Sequence, residues 1–274
     1  WRGIVISNEG GNFSAGANVG MVFMLAVEQE YEELDYAIRM FQNTVMRARY
    51  CSVPVVVATH QMTLGGACEL SMHADKVIAH AETYMGLVEF GVGLIPGGAG
   101  TKEFALRASD EYTDGGIRLE VLRERFLTVG QAKVATSAYE AFDLGYLREG
   151  VDEVELDRTR LTARAKIAAA AMADAGYVPP RERTDITVLG QEGLGIVHVG
   201  AHSMKSAGYI SEHDQHISVK LGTVLCGGDL SAPTKVSERY LLDIERKAFA
   251  ELCRERKSLE RMQSLIQTGK ILRN

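Results

Sequence analysis

The stretch Pro54-Val-Val-Val-Ala-Thr-His-Gln-Met-Thr-Leu-Gly65-Gly66-Ala67-Cys68-Glu69-Leu70 constrains the fold more than any other part of the chain. Val55–Thr59 is apolar or β-branched at every position, the pattern of a strand buried on both faces. Upstream, Tyr31, Leu34, Ile38, Phe41, Val45 and Ala48 recur at spacings of three and four and so share one helical face. That helix ends at Cys51–Pro54, because Pro54 lacks a backbone donor and biases Val53 away from helical angles. Downstream, Gly65 and Gly66 open a helix that ends near Ala74. A strand at Trp1–Ser7 breaking in a turn at Asn8–Gly11, a short strand at Lys76–Ala79 and a glycine-rich stretch from Gly86 to Gly100 complete the alternation. Strand, loop and helix in this order specify an α/β core.

The second half reads differently. Arg158–Ala175 is rich in alanine and strong helix formers, and stops at Gly176 ahead of Pro179–Pro180. Helices follow at about 194–206, 211–226 and 237–253, the last two with Ser211 and Ser237 as N-caps, and a final one runs from Ser258 to just before Gly269. The expected division is therefore an α/β core over 1–125 and a helical region over 126–274. From Glu245 to Asn274 there are eight Lys/Arg and four Asp/Glu, either a solvated helix surface or a basic rim for a phosphorylated ligand.

Charge and cysteine usage exclude whole classes. With 30 Lys+Arg against 36 Asp+Glu, the chain lacks the broad basic surface of a nucleic-acid binder. No apolar run approaches the roughly 18 residues of a membrane span. Cys51, Cys68, Cys226 and Cys253 are scattered without a CxxC pair, which suits reduced thiols in a cytoplasm rather than a disulfide framework or zinc site. The chain opens on Trp1 inside a strand, so it is expected to be a fragment of something longer.

Several glycine-rich and histidine motifs fail on inspection. Gly91-Val-Gly93-Leu-Ile ends in Pro96, and Gly193-Leu-Gly195-Ile-Val ends in His198, so neither is a dinucleotide fingerprint. Gly100-Thr101-Lys102 puts the lysine out of place for a phosphate loop. Around Ser14, Asn12 replaces the first glycine of a nucleophile elbow. His213, Asp214 and His216 are read as a solvated helix face, and no metal is expected.

Three other segments carry chemistry. Phe13-Ser-Ala15-Gly16-Ala17-Asn18 is a small-residue turn that lets a ligand approach the backbone. In Pro54–Leu70 a buried strand feeds a helix whose glycine-rich first turn offers free N–H groups and a positive dipole end to developing negative charge. Glu69 stands about one turn into that helix. The third segment, Met85–Thr101, contains Glu89 between Val88 and Phe90. Two carboxylates in unlike surroundings can divide acid and base roles if burial raises one pKa. Taken singly, Glu69 also reads as an exposed helix glutamate and Glu89 as a strand-edge residue facing water.

Together these segments resemble the crotonase (enoyl-CoA hydratase/isomerase) superfamily over about residues 1–110. The FAAGAD-like turn matches Phe13–Asn18, the LGGGCEL-type segment matches Pro54–Leu70, and the PE…GLIPGAGGT-type segment matches Val88–Thr101. Val134–Tyr146 is similar to the family's S-A-x-E-A-x-x-L-G-L stretch. The resemblance implies a crotonase spiral of ββα units with a C-terminal helical region, lacking the fold's opening strands. Beyond Asp152 the chain looks like the C-terminal part of bacterial fusions of 3-hydroxyacyl-CoA dehydrogenase with hydratase.

Carried over by position, the resemblance makes Ala17 N–H and Gly66 N–H an oxyanion hole and makes Glu69 and Glu89 the acid/base pair of the hydratase branch. It places Ala15 and Ala17 at the adenine end of the CoA site and Gly97 by the reacting centre. Asn18, also on the substrate-binding turn, stands where the family usually has Asp. The implied partner is an acyl-CoA thioester, with CoA arriving as part of the substrate and no metal or redox cofactor. Self-association as trimers or dimers of trimers and a dehydrogenase domain in the same full-length chain also follow from it. The alternatives are double-bond isomerisation, thioester cleavage, or a non-catalytic CoA-binding module.

Overall fold

A computed structural model describes residues 1–113 and 115–274. The chain forms two units, each assembled from three separate segments. Unit one takes 1–17, 41–87 and 133–182; unit two takes 18–40, 88–132 and 183–274.

Unit one is built on a parallel four-stranded sheet in the order β1 (Ile4–Ile6), β2 (Val55–Leu64), β3 (Lys76–Gly86), β4 (Glu153–Glu155). Val55–Ala58 are fully buried, as the unbroken apolar run requires. Strands β2 and β3 run further than their apolar stretches predict. The register shifts between Thr59 and Gln61, where Gln61 adopts φ +49°, and pairing resumes from Gln61↔Thr83 to Leu64↔Gly86. Past that irregularity β2 continues beyond the polar His60 and Gln61 to Leu64, where Gly65 follows as the cap of the next helix.

The alanine-rich helix α7 (Leu161–Asp174) lies on this sheet. Its Leu161, Ala165 and Ala169 form one core with Val56, Ala58 and Ile78. Alanines four residues apart share a helix face and let the axis approach closely. A Cβ on Gly3, the residue before β1, would sit 3.1 Å from the Ala169 methyl. Helices α3 (Gly66–Met72) and α6 (Ala138–Asp143) and residues 41–49 of α2 (Tyr31–Arg49) complete the unit. Buried Asp152 ties β4 in place: its carboxylate accepts from Val77 N–H and Arg148 N–H, each at 2.7 Å.

Unit two contains α1 (Val19–Val27), residues 31–40 of α2, α4 (Gly100–Glu111), α5 (Arg118–Gly130), α8 (Gly190–Ser206), α9 (Glu212–Leu225), α10 (Glu238–Leu252) and α11 (Arg256–Thr268). An antiparallel pair, β5 (Ile186–Val188) and β6 (Thr234–Val236), joins them. Ser211 and Ser237 cap α9 and α10 as their sequence position predicts, and left-handed Gly269 closes α11.

The division expected at 125/126 falls inside α5, and both units draw on residues from each side of it. The physical reason is plain: β4, α6 and α7 lie beyond that boundary in sequence, yet they bury their apolar faces on the sheet of unit one. Among the described residues no helix is long and apolar enough to cross a membrane. The four cysteines are free thiols.

Candidate functional site

In unit one, the small-residue turn and the glycine-opened helix come together. Ser14 bridges Thr63 in parallel, and Leu64 N–H donates to Ser14 O at 3.0 Å. Gly16 then turns with φ +99°, and a Cβ there would lie 3.0 Å from Leu64 O and 3.5 Å from Gly65 Cα. The Ala17 amide is one residue beyond this contact on one segment, and the Gly66 amide one residue beyond it on the other. Gly65 caps α3 with φ 55° and ψ −127°, angles that favour glycine. Its own N–H donates to Gly86 O at 2.8 Å, tying the helix start to the end of β3. As the first residue of α3, Gly66 has an N–H with no acceptor inside the helix.

Glu69 lies in the first turn of α3 and is only 3% exposed, which excludes the reading of a solvated glutamate. Buried His73 hydrogen-bonds the Glu69 carbonyl through Nδ1 at 2.6 Å, and Ser71 Oγ donates to Ala67 O. Both contacts hold this seven-residue helix in shape. Of the expected site residues, unit one thus gathers Ala15, Ala17, Gly66 and Glu69, with Ala15 and Ala17 exposed on the turn.

Support for the glycine pair Gly65/Gly86 comes from a residue that the sequence did not single out. A Cβ on Gly86 would meet Lys133 O at 2.7 Å. Fully buried Tyr146 donates its hydroxyl to that same carbonyl at 2.8 Å and accepts Leu87 N–H at 3.3 Å. The signal was present, since Tyr146 closes the Val134–Tyr146 motif. In that motif Ser137 and Glu140 are structural: Ser137 caps α6, and Glu140 accepts from Thr136 N–H at 2.7 Å.

Unit two holds Asn18, Glu89 and Gly97. Asn18 caps α1, its Oδ1 accepting Met21 N–H at 3.3 Å. Glu89 does not sit on a strand edge; it opens a 3-10 turn, Glu89–Val92, closed by left-handed Gly93. Its Oε2 is shut off from solvent, and no hydrogen bond reaches it among the described residues. Burial is the main reason its pKa rises from 4.5 to about 7, and the nearby Glu245 charge adds to the rise.

Glu245 is a second residue missed at the sequence level. It is fully buried, and its carboxylate accepts Ala99 N–H at 2.6 Å and Lys102 N–H at 2.9 Å, at the start of α4. An anion at a helix N-terminus is favoured there. Its position was readable: Leu241, Glu245, Ala248, Phe249 and Leu252 share the buried face of α10. One turn on from Glu245, the Phe249 ring would lie 2.5 Å from any Cβ placed on Gly97, so Gly97 is held against α10. Lys102, out of place for a phosphate loop, is a buried structural cation bonded to Glu238 at 2.8 Å and Glu103 at 3.2 Å.

The region read as a solvated histidine face also differs. His213 is buried with Nε2 2.9 Å from Ser258 Oγ, and only His216 reaches the surface. Burial is the first cause of the fall of the His213 pKa to about 4, followed by the Arg261 charge. Ion pairs also engage much of the basic C-terminal segment, including Arg246 with Asp35 and Asp243, Arg256 with Glu260, and Arg261 with Asp214.

A parallel sheet delivers a glycine-opened helix with a buried glutamate, and by comparison with known proteins residues 1–111 belong to the crotonase superfamily. Residues 1–111 match the enoyl-CoA hydratase/isomerase family. Along all of its 274 residues the chain is 42% identical to a probable 3-hydroxyacyl-CoA dehydrogenase of Bacillus subtilis (strain 168), spanning 34% of that relative's length. It is 31% identical over 168 residues to a probable enoyl-CoA hydratase of the same organism, covering 61% of this chain and 59% of that one. The fold is shared with an enoyl-CoA hydratase from Rhodobacter sphaeroides 2.4.1 (TM-score 0.64, 15% identity, 100% of this chain and 79% of that one).

Proposed function

We propose that this chain is an enoyl-CoA hydratase module that adds water across the 2,3 double bond of a trans-2-enoyl-CoA to give the 3-hydroxyacyl-CoA. The observation that carries this reading is Glu89, whose Oε2 is shut off from solvent and whose pKa burial raises to about 7, so that a large share of it holds a proton to give near neutral pH. Glu69 takes one proton from water as its oxygen bonds to C3. Glu89 delivers its proton to C2, and solvent exchange then resets both groups. Between these transfers the thioester oxygen carries negative charge, and the Ala17 and Gly66 amides are the donors assigned to it. Each such donor is worth about 3–4 kcal/mol in the transition state. Ala15, Asn18 and Gly97 are assigned to the CoA and acyl contacts.

The names of the relatives support a longer bifunctional protein in which a 3-hydroxyacyl-CoA dehydrogenase would consume the product of this module. The test uses crotonyl-CoA and the loss of its conjugated-thioester absorbance. Glu69→Gln and Glu89→Gln should each reduce turnover by about 10²–10⁴-fold. Mass analysis should find one water added. A product of unchanged mass would replace hydration with isomerisation, and full activity in either variant would reject the assignment.

A further inference from the structure

The Glu89 turn is weak by itself. It is one 3-10 turn, closed by Gly91 N–H to Val88 O, Gly93 N–H to Phe90 O and Leu94 N–H to Glu89 O, all at 3.1 Å. Glycines at 91 and 93 give its backbone wide freedom. The backbone at Val88 and Glu89 hydrogen-bonds the carboxylate, so the carboxyl is directed only as firmly as the turn itself is held.

Support for the turn comes from α11 and α9. Gly93 has φ +85°, and a Cβ on it would lie 2.8 Å from Ser258 Cα, so the first turn of α11 rests directly on the backbone here. Ser258 is fully buried, and its Oγ donates to Gly93 O at 2.6 Å. A hydroxyl has one hydrogen and a carbonyl can only accept. The 2.9 Å bond between Ser258 Oγ and His213 Nε2 must therefore run from imidazole to hydroxyl. This assigns His213 the Nε2–H tautomer, in keeping with its neutral state at neutral pH. The proton order is His213 Nε2–H to Ser258 Oγ–H to the Gly93 carbonyl.

The base of this chain is itself pinned. Ser211 and Asp214 form a reciprocal cap on α9, and Asp214 also takes Arg261 of α11 at 2.8 Å in a buried pair. Arg261, His216, Lys257 and Asp214 are the charged or titratable groups acting on His213, and Glu245 is the one acting on Glu89.

We propose that Ser258 and His213 are positioning residues: their hydrogen-bond chain clamps the left-handed end of the Glu89 turn and so holds the carboxyl with its Oε2 shut off from solvent. The consequence for catalysis rests on the proposed acid role of Glu89; the clamp itself does not. The experiment uses the full 274-residue chain and titrates the Glu89 side-chain carboxyl by ¹³C NMR, its signal assigned by its loss in Glu89→Gln.

In Ser258→Ala and His213→Leu the midpoint should fall from near 7 toward the ordinary carboxylate range as water reaches the turn. In His213→Gln, whose amide can donate as Nε2–H does, it should return toward the wild-type value. Turnover of crotonyl-CoA should fall about 10²-fold in the first two variants, chiefly in kcat, as expected for a displaced catalytic group. Thermal melts confirm folding; if Ser258→Ala unfolds, the Leu/Gln pair at 213 decides the matter. An unchanged Glu89 midpoint in the folded variants overturns the clamp. A midpoint that moves as stated while the longer parent protein, assayed alongside, hydrates nothing upholds the clamp and rejects the hydratase reading.

Discussion

Replacing Glu89 by Gln should make the protein more stable at high pH, and the size of the gain follows from where the carboxyl sits. In the unfolded chain the group titrates near 4.5, and in the folded protein near 7. Below pH 4.5 both states hold the proton, and ionisation contributes nothing to the comparison. Between 4.5 and 7 the unfolded chain releases its proton while the folded protein keeps it, so wild-type stability falls with rising pH at up to about 1.4 kcal/mol per pH unit. Above pH 7 both states are ionised, and the accumulated loss levels off at about 3 kcal/mol. A glutamine never ionises and escapes this loss. It does place an amide where Oε2 has no partner, which costs about 1–3 kcal/mol at every pH. The pH dependence is therefore the signal, not the absolute difference. Urea unfolding of wild type and Glu89→Gln at pH 4.5, 6, 7 and 8.5 should show the variant gaining steadily on the wild type until about pH 7 and then running parallel. A stability difference that stays flat across that range would refute the reasoning, because it would mean that Glu89 ionises in the fold as easily as in water.

The other predictions concern the groups that shape the site. Gly97→Ala should cost about 1–3 kcal/mol in urea melts, because its methyl overlaps the Phe249 ring, and Phe249→Leu in the same chain should recover part of the loss. Tyr146→Phe deprives both Lys133 O and Leu87 N–H of a partner and should lower stability by about 1–3 kcal/mol, read by thermal denaturation. Glu245→Gln removes the negative charge acting on Glu89, so the Glu89 carboxyl should titrate lower by NMR.

The sheet and its helices were legible because their signals are local. Val55–Ala58 could only be a covered strand, Ser211 and Ser237 could only begin helices, and Gly65-Gly66 announced a turn that side chains would obstruct. The division of the chain was not legible. Whether the alanine face of α7 covers the sheet or another helix depends on pairing across more than a hundred residues, and nothing in a window of sequence records that choice. Glu89 shows the same limit: its neighbours Val88 and Phe90 suit a strand as well as a turn, and only the flanking glycines decide for the turn. Glu245 and His213 lay in stretches whose overall charge suggested solvent, yet each occupies the apolar stripe of its own helix.

Those buried polar residues form a pattern that a solvated-surface reading obscures. Lys102, Glu238, Glu245, Asp214, Arg261, Ser258 and His213 are all nearly or wholly inaccessible in unit two. Buried ion pairs seldom add net stability over a well-packed apolar core, because desolvation offsets the attraction. What they do impose is direction, since a charged hydrogen bond tolerates little displacement. Here that direction converges on one short segment: Glu245 grips Ala99 and Lys102 through their amides, Phe249 abuts Gly97, and Ser258 holds Gly93. The segment from Glu89 to Lys102 buries Phe90, Val92, Leu94 and Ile95, and the surrounding helices fix it through its backbone as well. A segment held in this way keeps the Glu89 Oε2 shut off from solvent, which is the condition its raised pKa requires.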